Sequence, residues 1–370
     1  MIRRFHILLT LVAAGLAAWM VASCEKTSTP DTPPQKQPSA IDFDQVPYET
    51  LSDYGFFVGD PAEHVPNDGV VLYEPSASLF TDYAHKKRYV WMPEGEQATI
   101  LDDAWEQIDF PDQTAIIKTF YYPKDASRPE EDWDIIETRL LIKRHGEWEA
   151  FPYRWNEDQT DAELKVVGGT YPVTFTDADG ETHSIDYIQP NKNQCKSCHN
   201  QDEKLMPIGP KARNLNWEIE YPDGTRANQL ERWNDLGLLA NFTSTSDVTA
   251  VVNHADATAD LHLRAMSYLD GNCGHCHNAK GPASTSGLFL TYEQDDPRTL
   301  GVWKTPVAAG AGAGTHTFDV YPGKADSSIL VYRMNSIETG VMMAEIGRVM
   351  IHDEGVDLIS QWIDQMEVES

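Results

Sequence analysis

Two copies of the pattern Cys-x-x-Cys-His are the residues of this chain whose types and spacing could do chemistry. They comprise Cys195, Cys198, His199, Cys273, Cys276 and His277. Two thiols three residues apart can form thioethers with the two vinyl groups of one haem, and the adjacent histidine can become an axial ligand of its iron. The sequence therefore predicts two covalently attached haem c groups, with His199 and His277 as iron ligands.

A zinc knuckle is the alternative interpretation of paired Cys-x-x-Cys motifs. Its two halves usually lie about 12–20 residues apart, whereas the two copies here begin 78 residues apart and each is followed by histidine. The chain has five cysteines; four lie in the motifs and the fifth is Cys24. No cysteine pair is left for a disulfide, and haem attachment is the favoured interpretation.

The sixth ligand of each iron decides between electron transfer and chemistry at the metal. Met343 is predicted to be the axial methionine of the second haem, because it lies 66 residues past His277 and just before a closing helix. Met342 is the alternative. For the first haem the sequence leaves several options open: Met206, His183, His254, Met266 or a vacant position.

The segment that must support these motifs begins with a β-rich module at residues 46–188. Strands rich in β-branched and aromatic residues are predicted at 88–92, 115–122, 135–142, 148–155, 164–175 and 182–188. Asp177-Ala178-Asp179-Gly180 predicts a turn before the last of them. Short strands separated by Pro, Gly and Asp clusters predict an antiparallel sandwich or barrel-like module. No catalytic constellation is found in it.

From residue 189 onward the sequence predicts mainly helices and loops. Residues 258–270 have a helical apolar face and run directly into the second motif, and residues 356–363 form the apolar face of a closing helix. We therefore predict a first haem region at 189–255 and a cytochrome c-like second haem domain at 256–370. The predicted fold class is α+β and multidomain, an antiparallel β-rich module followed by a mainly α-helical cytochrome c-type dihaem region.

The N-terminus has the pattern of an export signal. Arg3 and Arg4 precede an apolar run at residues 7–22, which is shorter than the roughly 20 residues of a membrane span. The run ends at Val-Ala-Ser before Cys24, as in a bacterial lipobox, so residues 1–23 are predicted to be a lipoprotein signal peptide and Cys24 the lipidated residue. A short transmembrane anchor is the alternative. Either way, the chain is predicted to be exported and tethered to a bacterial membrane, facing the periplasm or the cell surface.

Residues 24–45 are predicted to be a disordered tether, because they are rich in proline and poor in large apolar residues. The chain as a whole is acidic, with 58 acidic and 29 basic residues and a net charge of −29. Such a charge argues against nucleic acid and anionic lipid as partners. It is compatible with simple solubility and with steering toward a redox partner that has a basic docking surface.

Five strings occur together in chain order: LFTDY at 79–83, IKTFYYP at 117–123, PNKNQC at 190–195, PIGPKARNLN at 207–216 and the segment 278–288. In these strings the chain resembles a family of bacterial dihaem c-type cytochrome lipoproteins, long described as conserved hypothetical proteins, over nearly all of its mature length. The resemblance implies a β module joined to a two-haem region with a class I cytochrome c-like C-terminal domain, and an exported redox role. It implies the six attachment residues and supports Met343, although Ala344 stands where the family usually has proline. It implies no substrate.

The predicted function is electron transfer between periplasmic or cell-surface redox partners by a membrane-tethered dihaem cytochrome, a carrier rather than a catalyst. One alternative is a dihaem peroxidase-like enzyme with one five-coordinate haem. Another is a ligand-binding β module with an accessory haem region.

Overall fold

Six antiparallel strands form the main sheet of the protein. The structure is a computed structural model that describes residues 39–129, 131–307 and 309–367. The predicted signal peptide, Cys24 and residues 24–38 of the predicted tether lie outside the described residues. None of the described residues belongs to a helix that is both long enough and apolar enough to cross a membrane.

The strands are β1 Val70–Leu72, β2 His85–Trp91, β3 Thr99–Ile100, β4 Ile108–Asp109, β5 Ala115–Pro123, β6 Trp133–Arg144, β7 Glu147–Trp155, β8 Ala162–Leu164, β9 Gly169–Thr176, β10 Thr182–Gln189, β11 Asn200–Gln201, β12 Lys204–Leu205, β13 Glu218–Glu220 and β14 Arg226–Asn228. The α-helices are α1 Cys195–Cys198, α2 Ala212–Leu215, α3 Gln229–Asp235, α4 Leu261–Leu269, α5 Ile329–Met334 and α6 Asp353–Asp364.

The main sheet has the strand order β1-β2-β5-β6-β7-β8 and is open at both edges. It is a single sheet, so the predicted sandwich or barrel-like closure is wrong. Strands β9 and β10 form a separate hairpin around the predicted turn, and their inner residues Val173, Phe175 and Tyr187 pack against Phe120 and Tyr122 of the sheet.

Both faces of the sheet are covered, which explains why β5 is buried at nearly every position. On one face, Tyr89, Ile117 and Leu140 join the segment before β1 in a first core. On the other face, Ile116 and Leu141 join residues of α2 and α3 in a second core. A third core is separate from the sheet and is built by α4, α5 and α6 with the loops between them.

The prediction of a mainly α-helical region after residue 189 is wrong. Among the described residues only α4 and α6 are longer than seven residues, and α1 and α2 are single turns. Short strands, turns and irregular segments make up most of residues 189–352. The apolar periodicity used for the prediction was present in two segments only, and the rest of the region is held by packing on the sheet, which a local pattern does not reveal.

The two longer helices do form where periodicity placed them. Asp260 caps α4 by accepting a hydrogen bond from Leu263 N at 3.1 Å. Asp353 and Glu354 lie in the first turn of α6, where carboxylates favour the helix dipole. Leu269 and Ile359 of these helices are fully buried in the third core, so this small helical core carries the second motif.

Candidate functional site

The first motif is held as a single helical turn, α1, followed by a tight hairpin. Asn191 and Gln194 cap the turn reciprocally, since each accepts a hydrogen bond from the other's backbone N–H at 2.9 Å. His199 N donates to Cys195 O at 2.9 Å. The chain then forms the β11–β12 hairpin and returns beneath the histidine ring, where Met206 N donates to His199 O at 3.1 Å.

The second motif lies at the end of α4. The helix widens into a π-helical turn, Asp270–Gly274, which contains Cys273. Such turns occur frequently at functional sites. His277 N donates to Cys273 O at 2.9 Å, as in the first motif, and Leu290 N donates to His277 O at 2.9 Å.

Both motif histidines are oriented by the same kind of hydrogen bond, between Nδ1 and a backbone carbonyl. Nδ1 of His199 lies 3.0 Å from the carbonyl oxygen of Met206, and Nδ1 of His277 lies 3.2 Å from that of Leu288. A carbonyl can only accept, so Nδ1 carries the proton and the Nε2 lone pair is available to a metal. Burial lowers the pKa of His199 to about 3 and that of His277 to about 4. Both rings are therefore neutral, as an iron ligand must be.

The two motifs touch each other. Ligand atoms of Cys198, His275 and Cys276 all lie within 4.8 Å of one another, and Cys276 Sγ lies 3.8 Å from the carbonyl oxygen of Ser197. The hydrogen bond from Cys276 lowers the pKa of Cys198, and the same contact raises the pKa of Cys276. The group could hold a metal ion through two sulfurs and a ring nitrogen, or it could place two thioether attachment points side by side.

A cavity of about 1860 Å³, part of it open to solvent, lies between the sheet and the two motifs. Its walls include Cys195, Cys198 and His199 of the first motif, Cys273 of the second, and Met343. Cys276 and His277 lie beside it and are not part of its wall. A space bordered by thiols, a neutral histidine and a methionine has the donor set that a c-type haem requires, so the residues fit the predicted cofactor.

The predicted sixth ligands have different surroundings. Met343 lines the cavity, in the loop between α5 and α6, and Arg348 fixes this loop by donating to Met343 O at 2.9 Å and Ser336 O at 2.7 Å. Met342 is half-buried in the same loop but is not part of the wall. The carbonyl of Met206 lies behind the His199 ring, on its Nδ1 side, which suits a role in orienting the ring.

The remaining alternatives lie away from the cavity wall. Met266 is buried in the third core. His183 is held 2.7 Å from Asp177 in the β9–β10 hairpin, and His254 packs edge-on against Tyr268 at 5.4 Å. Of the residues predicted as sixth ligands, the structure brings only Met343 to the cavity.

Sequence reasoning missed the ion pairs that join the two regions. Asp270 is 1% exposed and accepts from Arg213 at 2.6 Å and from Lys211 at 3.3 Å. Arg213 also binds Glu293 at 2.8 Å. Burial alone would raise the pKa of Asp270, but the two cations lower it. The only signal in the sequence was the basic pair inside PIGPKARNLN, which carries no information about its partner.

His352 and a row of cations on the sheet were also missed. His352 lines the cavity, stacks on Phe80 at 4.3 Å and lies 3.0 Å from Tyr268 Oη through Nδ1. Arg88, Lys118 and Arg139 also line this cavity. A cation inside each of three apolar strands was the available signal, but only strand pairing shows that the three are neighbours.

Comparison with known proteins yields no relative of this chain: no family model, curated protein or solved structure matches it.

Proposed function

We propose that the chain is an exported, membrane-tethered dihaem c-type cytochrome that transfers electrons between periplasmic or cell-surface redox partners. The observation that carries the proposal is the meeting of two Cys-x-x-Cys-His motifs at one cavity, with Cys198 and Cys276 in contact. A single attachment motif would be enough to anchor one cofactor. Two adjacent attachment points suit a molecule that must accept an electron at one place and release it at another.

The residues of the chain have separable roles in this proposal. Cys195, Cys198, Cys273 and Cys276 would attach the two haem groups. His199 and His277 would bind the irons through Nε2, and the Met206 and Leu288 carbonyls hold the rings in place. Met343 would supply the sixth ligand at the second site. When bound, each haem supplies an iron that alternates between ferric and ferrous states.

The immediate surroundings of the motifs exclude water from part of the site. His199 and His277 are buried or half-buried, and Cys195 packs against the second core while Cys273 packs against the third. A fixed ligand geometry in a packed environment lowers the rearrangement that accompanies a change of iron charge, which favours electron transfer over substrate chemistry. The acidic chain would meet its partner through a basic docking surface, and lipidation at Cys24 would keep it at the membrane.

A bound metal ion at Cys198, His275 and Cys276 is the second candidate, because these three side chains already lie within 4.8 Å of one another. Thiolate and imidazole ligands suit zinc. In that case the cysteines would remain thiolates and the protein would not be a cytochrome.

One experiment separates these functions. The full chain is produced with a c-type maturation system, and covalent haem is counted by intact mass and by the pyridine haemochrome spectrum. We expect two haems per chain, and two in Cys24→Ala, which is the matched control because it removes the one cysteine outside the motifs. Zinc without covalent haem would contradict the proposal.

The oxidised spectrum then distinguishes the carrier from the peroxidase-like enzyme. Low-spin iron at both sites, with electron exchange to a small-molecule acceptor and no peroxide consumption, supports the carrier. High-spin iron that consumes peroxide would assign the enzyme instead. A basic redox protein should associate with the carrier at a rate that falls with added salt.

A further inference from the structure

Three cations form a continuous row across the main sheet. Arg88 of β2 pairs directly with Lys118 of β5, and Lys118 pairs directly with Arg139 of β6. Directly paired residues project from the same face of a sheet, and all three line the cavity that also contains Cys195 and His199. The row lies between the second core on one side and the packed β9–β10 hairpin on the other, and Lys86 and Glu137 are the charged residues next to it on the same face.

Like charges directly opposite each other on neighbouring strands are destabilising, and the protein offers this row little compensation. Arg139 is bound to Glu137, whose other contact is Tyr187 Oη at 2.5 Å. Arg88 is 8% exposed; its side chain donates to the neutral Ser78 Oγ at 3.4 Å, and the charge of Glu74 acts on it. Within the part of the chain that the structure describes, Lys118 Nζ has no hydrogen bond or ion pair, and its recorded contact is the Phe120 ring at 4.8 Å.

Asp270, the carboxylate on the cavity wall, does not neutralise the row. Asp270 lines the same cavity, but Lys211 and Arg213 already share its charge. Lys118 therefore faces the cavity as a half-buried amine between two guanidinium groups. Glu137, which is already bound to Arg139, is the carboxylate that acts on it, whereas Glu74 acts on Arg88. A buried charge requires a partner, and this geometry calls for an anion with planar, hydrogen-bond-accepting oxygens, for which arginine is well suited.

We infer that Arg88, Lys118 and Arg139 form a carboxylate-binding site for the propionate groups of the haem attached at Cys195 and Cys198. The inference rests on the proposed function, because it takes the carboxylates from a haem. The same chemistry could recognise a free carboxylate that enters from solvent. We favour propionates because the row and the first motif border one cavity. The propionates of a haem attached there are present at a high effective concentration, whereas a free carboxylate must bind from solvent.

The test uses the mature, haem-loaded protein and the variant Lys118→Met, which keeps most of the side-chain volume and removes the charge. Lys124→Met is the matched control: Lys124 follows β5 directly, is exposed and pairs with Asp132 at 2.8 Å away from the cavity. Lys118→Arg restores the charge. Each protein is measured by redox titration, by the resonance Raman bands of the haem propionates and by calorimetric titration with succinate.

We expect Lys118→Met to lower the reduction potential of one haem and to shift its propionate bands, because the ferric iron loses a nearby positive charge and the propionate loses a donor. Lys118→Arg should restore both signals, Lys124→Met should change neither, and succinate should not bind. Arg88→Gln probes the same row and gives the same shifts if Lys118→Met does not fold.

Equal potentials and bands in Lys118→Met and Lys124→Met would overturn the inference. Saturable succinate binding that Lys118→Met abolishes would overturn the propionate assignment and identify a free carboxylate as the occupant. Wild-type protein with no covalent haem would instead reject the proposed function, so the two failures are distinguishable.

Discussion

The two motifs have the same five-residue pattern but are supported in different ways. The first is a single helical turn whose Cys195 and Met206 pack on the second core, against the face of the main sheet. The second follows a nine-residue helix, and its Cys273 packs on the small third core. The first motif thus packs against strands from the N-terminal half of the chain, whereas the second packs against α4, which adjoins it, and against α5 and α6, which follow it in the chain.

The two sites also differ in the charged groups that surround them. The cavity wall beside the first motif contains the cationic row of the sheet, while the second motif is bordered by the Met343 loop, which Arg348 ties together through backbone carbonyls. A charged wall and a thioether ligand change the reduction potential of an iron site in different ways. Two haems held by the same short motif, as proposed, would therefore have unequal properties.

Removing the cysteines of one motif at a time should give the largest effect, on haem content and on the local stability of the region around that motif. Cys195→Ala with Cys198→Ala is expected to leave one haem and to loosen β5 and β6, because that cofactor would pack on the sheet. Cys273→Ala with Cys276→Ala should leave the other haem and loosen α4 and α6 instead. Haem counting and hydrogen exchange of the two regions measure this. The same exchange pattern in both double variants would contradict the comparison.

Breaking the ion pair of Arg213 with Asp270, which joins the sheet region to the second motif, should give the next largest effect, a loss of stability. Arg213→Met leaves Asp270 buried with only Lys211 as a cation, and removal of one partner from a buried pair typically costs about 3–5 kcal/mol. The free energy of unfolding from urea titration measures the loss. Arg226→Met, which removes an exposed ion pair with Glu218, is the control and should cause little change. Equal stability of the two variants would show that the link is not important.

One contribution to acid sensitivity should come from a buried histidine of the sheet region. His64 is 3% exposed, its Nε2 lies 2.8 Å from Thr119 Oγ1 of β5, and burial lowers its pKa from 6.5 to about 4. The unfolded chain binds a proton between pH 6.5 and 4 that the folded chain does not. Stability from His64 is therefore complete above pH 6.5 and falls by about 3 kcal/mol as the pH drops to 4.

His64→Gln should remove this part of the pH dependence, as measured by urea unfolding at pH 7 and pH 4. His145→Gln is the matched control, because His145 lies exposed in the β6–β7 turn. A slope that is as steep in His64→Gln as in the wild-type chain would count against the assignment.

Met343→Leu should give the smallest change in stability, below about 1.5 kcal/mol, because leucine nearly conserves the volume. Its spectroscopic effect should be specific: the weak near-infrared sulfur–iron band disappears and the potential of one haem falls. Met342→Leu is the control and should retain the band. Loss of the band in Met342→Leu alone would move the ligand by one residue.

The sequence was informative where the pattern is local. The strands at 115–122, 148–155 and 182–188 and the helices before the second motif and at the C-terminus lie where periodicity and β-branched residues predicted them. Residues 164–175 did not form one strand, because residues 165–168, which end in Gly168 at a φ of 64°, separate β8 from β9. The predicted helical content was also wrong. Most of residues 189–255 pack on the sheet, and their sequence has no helical periodicity.

The candidate site shows the same limit. The candidate attachment residues follow from spacing alone, and Met343, which lines the cavity, was a candidate because of its position before the last helix. The partners of Asp270, the cationic row and the contact between Cys198 and Cys276 depend on strand register and on residues up to 80 positions apart. These contacts arise only when the chain is folded, so no single segment encodes them.

The contact between Cys198 and Cys276 has a consequence for how the protein matures. If the chain is exported as proposed, it meets an oxidising compartment. Cys198 and Cys276, whose sulfurs lie within 4.8 Å of each other, could then pass two electrons and two protons to the disulfide of a periplasmic thiol oxidase, which becomes a dithiol, and form a disulfide themselves. That bond would block one position in each motif, so its reduction would have to precede the proposed haem attachment. In cells without the attachment machinery, differential alkylation and peptide mass mapping should find Cys198 linked to Cys276. Free thiols at both positions would show that the two segments meet only after attachment.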